Sequence, residues 1–167
     1  QFLLRFNEEI LLGRQKELHE RNIRIRFIGR RDRRVPRRLV RRMDEAADLT
    51  RGNTGLTFTI AFNYGGRAEL VDAVPRIVDG GAKRVTERTI ARHLYDPEMP
   101  DPDLVIRTSG EYRISNFLLW ELAYSELVFS DALWPDFRRE HLYAAIKQFQ
   151  DRDRRYGGVA GPDEPDG

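Results

Sequence analysis

Apolar residues fall in two rhythms along this chain, and the rhythms alternate. Between residues 2 and 20, Phe2, Leu3, Phe6, Ile10, Leu11 and Leu18 recur with charges between them, which predicts a helix with a broad apolar face, ended near Asn22. Ile23-Arg-Ile-Arg-Phe-Ile28 then alternates apolar and basic residues at the period of a strand, and Gly29 comes next. A second helix is expected around Leu39, Val40 and Met43, with Pro36 in its first turn, where the missing N–H does little harm. Arg51-Gly-Asn-Thr-Gly55 reads as a turn, and Leu56 to Phe62 as a strand rich in β-branched and aromatic residues. Leu56, Phe58 and Ile60 share one of its faces. A third helix spans roughly Arg67 to Val78, with Leu70, Val71, Val74 and Ile77 inward, a kink or loosened bond at Pro75, and a stop at Gly80-Gly81. Thr86 can cap a short helix reaching Leu94.

The last third repeats the alternation. Leu104-Val105-Ile106 reads as a buried strand ending on Arg107. Thr108 to Asn116 is a polar loop, and Phe117 to Tyr124 is apolar enough for a core helix, with Phe117, Trp120 and Tyr124 packed inward. Glu126 to Phe129 is a fourth short strand, and Trp134 lies in what reads as a packed loop. Asp136 is placed to cap a final helix that buries Leu142, Ala145, Ile146 and Phe149 and stops at Gly157-Gly158. Strands alternating with helices four times predict an α/β fold: a single domain with a mainly parallel central β-sheet flanked by helices. We expect that domain over residues 1–158 and a Gly-, Pro- and acid-rich tail over 159–167.

Composition narrows the classes. With 40% hydrophobic residues the 167-residue chain can build a core. There is no cysteine, so disulfides and thiolate metal sites are excluded. No apolar run approaches the roughly 20 residues that span a bilayer. Positive and negative side chains nearly balance, at 29 and 27. The exception is local, because eight arginines fall between Arg30 and Arg42. Aromatic residues are absent from that run and Asp44, Glu45 and Asp48 come after it, which favours a solvated helix face; an anionic membrane surface and a nucleic-acid site are the alternatives. His19, His93 and His141 share no ligand spacing and receive no role. Asn63-Tyr-Gly-Gly-Arg67 alone is a weak phosphate-loop signal, matching neither the Walker nor the Rossmann spacing.

The candidate chemistry lies after the third strand. Loops at the carboxyl ends of parallel strands are where ligands usually bind. This one offers Arg107, Arg113, Thr108 and Ser115, a set suited to an anionic group because the guanidinium fork matches phosphate oxygens. The competing reading pairs both arginines with nearby carboxylates such as Asp103 and Glu111.

The run Arg107-Thr-Ser-Gly-Glu-Tyr-Arg-Ile-Ser-Asn-Phe-Leu-Leu-Trp, with Tyr124-Ser-Glu126 and Leu133-Trp-Pro-Asp-Phe after it, resembles the signature of the cis-prenyltransferases, the undecaprenyl and decaprenyl diphosphate synthases and their relatives. The similarity extends through Ile28-Gly29, Asn53-Thr-Gly-Leu and Ala61-Phe-Asn-Tyr-Gly-Gly-Arg67 to Arg154-Arg-Tyr-Gly157. It implies a fold with a hydrophobic tunnel, to which Leu56, Phe58 and Ile60 belong if they are not simply core. It implies condensation of isopentenyl diphosphate with an allylic diphosphate to give a cis-polyprenyl diphosphate of the kind that serves as a cell-wall lipid carrier. Arg107, Arg113 and Ser115 are then the isopentenyl diphosphate ligands, and Glu126 a Mg²⁺ ligand, with an ion pair to an arginine as its competing reading. Arg155 and Gly157 would reach across a homodimer interface to the partner's site, or else merely stop the helix. The residues themselves, with no cysteine, no spanning apolar run and no aromatic group in the arginine run, lead us to expect a cytoplasmic location, at most peripheral to a membrane, and no nucleic-acid partner.

One departure matters. The family's His-x-x-Met-Asp-Gly-Asn segment, whose aspartate serves the allylic diphosphate and the metal, does not occur in these residues, nor does its Phe-Ser-x-Glu-Asn-Trp segment. Gln1 also starts inside an apolar helical pattern, so we expect a segment missing in front, with the catalytic aspartate in it and no catalytic residue in this chain. On this reading the chain holds the isopentenyl half of the site and is inactive alone. The alternative is a non-catalytic, family-like partner subunit.

Overall fold

The hydrophobic alternation of residues 23–28 sets up the first layer. In the computed structural model, which describes residues 13–152, helix α1 (Gln15–Glu20) is followed by Asn22, whose φ of 59° turns the chain into strand β1 (Arg24–Ile28). Ile25 and Ile28 are buried, and β1 pairs in parallel with β2 (Thr57–Ala61), Arg24 opposite Thr57 and Ile28 opposite Ala61. Helix α2 (Arg37–Thr50) packs on β1. Its buried residues Leu39, Met43, Ala46 and Thr50 recur at three- and four-residue steps, as one helix face requires. Ile25, Val35, Leu39, Met43 and Ala46 form a core cluster, with Phe27, Val40, Ile60 and Phe62 packed against it. Thr50 pins helix to strand: its hydroxyl accepts from the Ile25 N–H at 2.9 Å and donates to the Ala46 carbonyl at 2.9 Å.

Gly29 ends β1 in a conformation that only glycine fits. Its φ is +121°, and a Cβ there would stand 2.0 Å from the Phe62 carbonyl oxygen. Helix α3 (Gly66–Asp79) and the short α4 (Glu87–Ala91) complete the first compact unit, which among the described residues comprises 13–100 with 116–120. Thr86 caps α4 as expected, its hydroxyl accepting from the Thr89 N–H at 3.2 Å while Thr89 Oγ1 accepts from the Thr86 N–H at 3.1 Å. Gly80 and Gly81 end α3, and Pro75 lies within it without breaking it.

The face of α3 differs from expectation. Glu69, Ala73 and Ile77 are buried, whereas Val71 and Val74 are exposed. The cause is polar: Glu69 accepts from Tyr64 Oη and, at 2.9 Å, from the Tyr95 N–H, so the helix is rotated to bury a satisfied carboxylate. Leu56, just before β2, and Phe58 on it are also exposed rather than core; Ile60 on the same face packs inward.

The second unit, which among the described residues comprises 101–115 with 121–152, is built on β3 (Leu104–Arg107) and β4 (Glu126–Phe129), again parallel, with Leu104 opposite Glu126 and Arg107 opposite Phe129. Among the described residues the strands form these two parallel pairs, β1–β2 and β3–β4. Helix α5 (Arg139–Gln150) packs on β3 and β4.

Several local expectations for the last third of the chain fail. Residues 117–124 form turns, not a helix, because Ser115, Asn116 and Leu118 all take left-handed φ values of 42° to 64°. Tyr124 and Trp134 are 84% and 67% exposed, so neither is core, and Phe117 is exposed as well; Trp134 stacks instead on Phe137. β3 is half-buried rather than buried, being paired along one side only among the described residues. Asp136 sits in a 3₁₀ turn (Trp134–Asp136), and the start of α5 is secured by His141, whose Nδ1 accepts from the Arg138 N–H at 2.9 Å. Ala145 is buried in α5 and Ile146 and Phe149 half-buried, but Leu142 is exposed. The expected helix stop at Gly157-Gly158, the tail after it and the apolar positions before residue 13 lie outside the described residues.

Candidate functional site

Arg107 is the last residue of β3, and the loop beyond it is held by the continuation of β4. The Ser130 N–H donates to the Arg107 carbonyl at 2.8 Å, Ser109 N–H to the Ala132 carbonyl at 2.9 Å, and Gly110 N–H to the Ser130 carbonyl at 3.1 Å. Tyr112 reinforces the stitch through its hydroxyl on Asp131 Oδ1 at 3.2 Å, and its ring lies 5.2 Å from that of Phe129. Hydrogen bonding to the Asp131 carboxylate holds the Tyr112 phenol above its ordinary pKa.

Two left-handed residues, Ser109 and Gly110, open the loop after β3, and two more, Ser115 and Asn116, close it. Such backbone is sustained by surrounding contacts and collects at ligand sites. The folding of the loop returns Ser115 to Arg107, with Nη2 of the arginine 3.5 Å from Ser115 Oγ. The Arg107 Nε is buried and, among the described residues, has no hydrogen-bond partner. A buried N–H left unpaired costs about 1–3 kcal/mol. A cation with one donor unanswered and another grazing a hydroxyl at the edge of hydrogen-bond range is equipped to receive an anion.

Arg113 stands two residues before Ser115, exposed, and ion-paired with Glu111, as the competing reading expects. Asp103, the other candidate carboxylate, contributes its backbone carbonyl to the Glu126 N–H at 2.9 Å. Thus the structure brings Arg107 and Ser115 together and gives Arg113 an acidic neighbour on the same loop.

Glu126 opens β4, three ladder positions from Arg107, which is about 10 Å along the strands. Its carboxylate accepts from Arg152 Nη1 at 2.6 Å, and the same nitrogen reaches the Leu127 carbonyl at 3.2 Å. The competing ion pair is therefore present. A lone glutamate remains compatible with magnesium, which takes one or two carboxylates and completes its shell with phosphate oxygens and water. Among the described residues no three His, Asp or Glu side chains gather into a ready-made metal site. Arg155 and Gly157 lie outside the described residues.

Sequence reasoning overlooks Asn116. Its carbonyl accepts from the Gly66 N–H at 2.7 Å and its Oδ1 from the Arg67 N–H at 2.9 Å, so it caps α3 from a distant part of the chain. Gly65 permits the approach: a Cβ there would lie 2.8 Å from the Asn116 amide nitrogen. An asparagine beside a loop of hydroxyls is the available signal. Arg30 is missed too. Counted within the arginine run, it instead grips Asp72 through Nε at 2.8 Å and Nη2 at 2.7 Å, while Tyr95 Oη donates to Asp72 at 2.6 Å. The Arg30 hydrogen bonds bring the Asp72 carboxyl down to about 2. Burial, then the hydrogen bond to Asp72, pushes the Tyr95 phenol up to about 12.

Comparison with known proteins gives this geometry its context. The putative undecaprenyl diphosphate synthase family model matches residues 1–157. The chain is 49% identical over 164 residues to a trans,polycis-polyprenyl diphosphate synthase of Thermobifida fusca named as specific for (2Z,6E)-farnesyl diphosphate, covering 95% of this chain and 58% of that protein. It is 46% identical over 156 residues to an isoprenyl transferase of Neisseria gonorrhoeae, covering 93% and 62%. The chain thus spans about three-fifths of the length of these relatives. Among solved structures, lavandulyl diphosphate synthase from Lavandula x intermedia, in complex with dimethylallyl diphosphate, superposes with a TM-score of 0.87 at 35% identity, over 94% of this chain and 70% of that one. A probable undecaprenyl diphosphate synthase from Campylobacter jejuni gives 0.85 at 27% identity, over 94% and 74%. A match over nearly its whole length, in sequence and in fold, places this chain in the undecaprenyl diphosphate synthase family of cis-prenyltransferases.

Proposed function

We propose that this chain supplies the isopentenyl diphosphate half of a cis-prenyltransferase site, in a parent protein that condenses isopentenyl diphosphate with an allylic diphosphate. The observation that carries the reading is Arg107, whose buried Nε is unanswered among the described residues and whose Nη2 lies 3.5 Å from Ser115 Oγ. In the reaction the allylic carbon–oxygen bond breaks and diphosphate leaves with the electron pair. The isopentenyl alkene then forms the new carbon–carbon bond, and a proton is lost to leave a cis double bond. No protein nucleophile is required; positioning and charge stabilisation are. Arg107 and Arg113 hold the isopentenyl diphosphate head, Ser115 donates a hydroxyl to it, and Arg113 exchanges Glu111 for phosphate oxygens on binding. Glu126 would hold Mg²⁺, exchanging Arg152 for it; the ion supplies neutralisation of diphosphate charge. Arg155 and Gly157 are assigned to the partner's isopentenyl site in a homodimer.

The relatives' names support an allylic partner of prenyl diphosphate type, and because the chain spans 58% of the Thermobifida protein we assign turnover to the parent protein rather than to these residues alone. Calorimetric titration of isopentenyl diphosphate into this chain tests the half-site directly. Arg107→Ala should weaken binding roughly 10- to 150-fold, the equivalent of one charged hydrogen bond; equal affinity of the two proteins removes the site. Incubating the parent protein with magnesium, isopentenyl diphosphate and farnesyl diphosphate separates an enzyme from a partner subunit, because the latter yields no product.

A further inference from the structure

We propose that the basic loop and helix start between Arg31 and Arg41 form a docking surface for an anionic phospholipid bilayer. Seven arginines against three carboxylates give residues 31–45 a net charge of +4 in a chain whose whole excess is only +2. The structure keeps that charge outward. Arg31, Arg33, Arg34, Arg37, Arg38 and Arg41 are all exposed, while Val35, Leu39 and Met43 between them anchor the segment in the core. Some of the cations are answered locally: Arg31 by Asp44, Arg34 by Asp32 at 2.6 Å, and Arg41 by Glu45 at 3.7 Å. Arg33 and Arg37 have no such partner among the described residues. Both line an open groove of about 470 Å³ whose remaining walls are Arg31, Asp32, Val35, Pro36 and Val40.

That combination selects the occupant. Two unpaired guanidiniums above an apolar floor of Pro36 and Val40 suit a phosphate joined to a hydrocarbon, with the headgroup on the arginines and the first methylenes on the floor. Nucleic acid fits less well, since sequence-tolerant strand binding uses aromatic stacking platforms and the segment from Arg30 to Glu45 has no aromatic residue. The surface joins the loop before α2 to its first turns, and the loop is tied to the core by buried Val35.

Sedimentation with vesicles tests the surface, using this chain, which needs no turnover to be scored. Phosphatidylcholine vesicles containing about a third phosphatidylglycerol should retain the protein at low salt and release it as salt rises. Each cation near an anionic leaflet contributes about five-fold in partitioning, so Arg33→Gln with Arg37→Gln should weaken retention about 30-fold. Arg84→Gln with Arg88→Gln, also exposed but outside the patch, should leave it within about two-fold. Circular dichroism confirms that both doubles are folded. Equal retention on pure phosphatidylcholine, indifference to the Arg33/Arg37 pair, or capture by duplex RNA that vesicles do not compete away would each overturn the proposal. None of these results bears on Arg107, so the surface and the isopentenyl site stand or fall separately.

Discussion

Asn116 offers the sharpest test of how the chain is held after the Arg107 loop, because two separable effects meet in one residue. Its Oδ1 satisfies the Arg67 N–H, one of the donors that the first turn of α3 leaves unpaired, and its backbone sits at φ 64°. Replacement by Ala removes the first and strains the second. Loss of a capping acceptor costs about 0.5–2 kcal/mol, and an L-residue with a Cβ in the left-handed region about 1–2 kcal/mol. The bond from Gly66 N–H to the Asn116 carbonyl survives any substitution that keeps the backbone in place. Asn116→Ala should therefore destabilise by about 1.5–4 kcal/mol. Asn116→Gly relieves the backbone and loses only the cap, so it should be about 1 kcal/mol more stable than the Ala variant. Asn116→Asp keeps an acceptor, places negative charge at a helix N-terminus, and should be nearest to the parent. Urea unfolding of the three variants gives the order directly. Gly as stable as Asp would show that the cap contributes nothing, and Ala as stable as Gly would remove the strain argument.

Two further perturbations probe the first unit. Lowering pH from about 4 towards 2 should unload Asp72: its pKa is depressed in the fold, so its contribution is present above the unfolded value near 3.9 and disappears as pH falls through the folded value of about 2. With its side chain 29% exposed the contribution is about 1–2 kcal/mol after screening, and Asp72→Asn should flatten this part of the stability–pH curve; an unaltered curve refutes the Arg30 pairing. Gly29→Ala should destabilise by about 3 kcal/mol or more by denaturant titration, because the Phe62 carbonyl occupies the place of the new methyl, and a neutral result would show that the β1 exit is set differently.

The residues themselves show what was legible and what was not. Period-two alternation found β1, and turn chemistry found Thr86 and Gly80-Gly81, because these signals act within a few residues of where they are written. Parallel pairing came from the alternation of strands with helices. Apolarity alone misled at 117–124, where left-handed Ser115, Asn116 and Leu118 break a run that composition would make helical. It misled again on α3, since the inward face is chosen by Glu69 meeting Tyr64 and Tyr95, a contact between positions 26 apart for the Tyr95 N–H. In the same way Arg30 belongs to Asp72 across 42 residues, which no local charge count reveals. Arg107 and Ser115, singled out by their chemistry, are brought together by the loop; Asn116, whose work is to cap α3, left only the weak signal of an asparagine beside a loop of hydroxyls.

The ion pair between Glu126 and Arg152 is the observation that weighs most against a metal at Glu126, and magnitude decides how much. Arg152 is 36% exposed and Glu126 26%, so water and salt screen their attraction. Pairs of this kind are worth about 0–1 kcal/mol. A divalent cation brings twice the charge of a guanidinium to a hard oxygen donor, and a diphosphate would share its coordination. Arg152 therefore holds the carboxylate in place without committing it, and the same reasoning applies to the exposed Arg113–Glu111 pair. Arg107 differs in kind, because its buried Nε has no partner among the described residues to give up. On the proposed reading a diphosphate head would engage Arg107 at no loss of an ion pair, whereas Arg113 and Glu126 would each exchange a weak existing pair for it or for the metal.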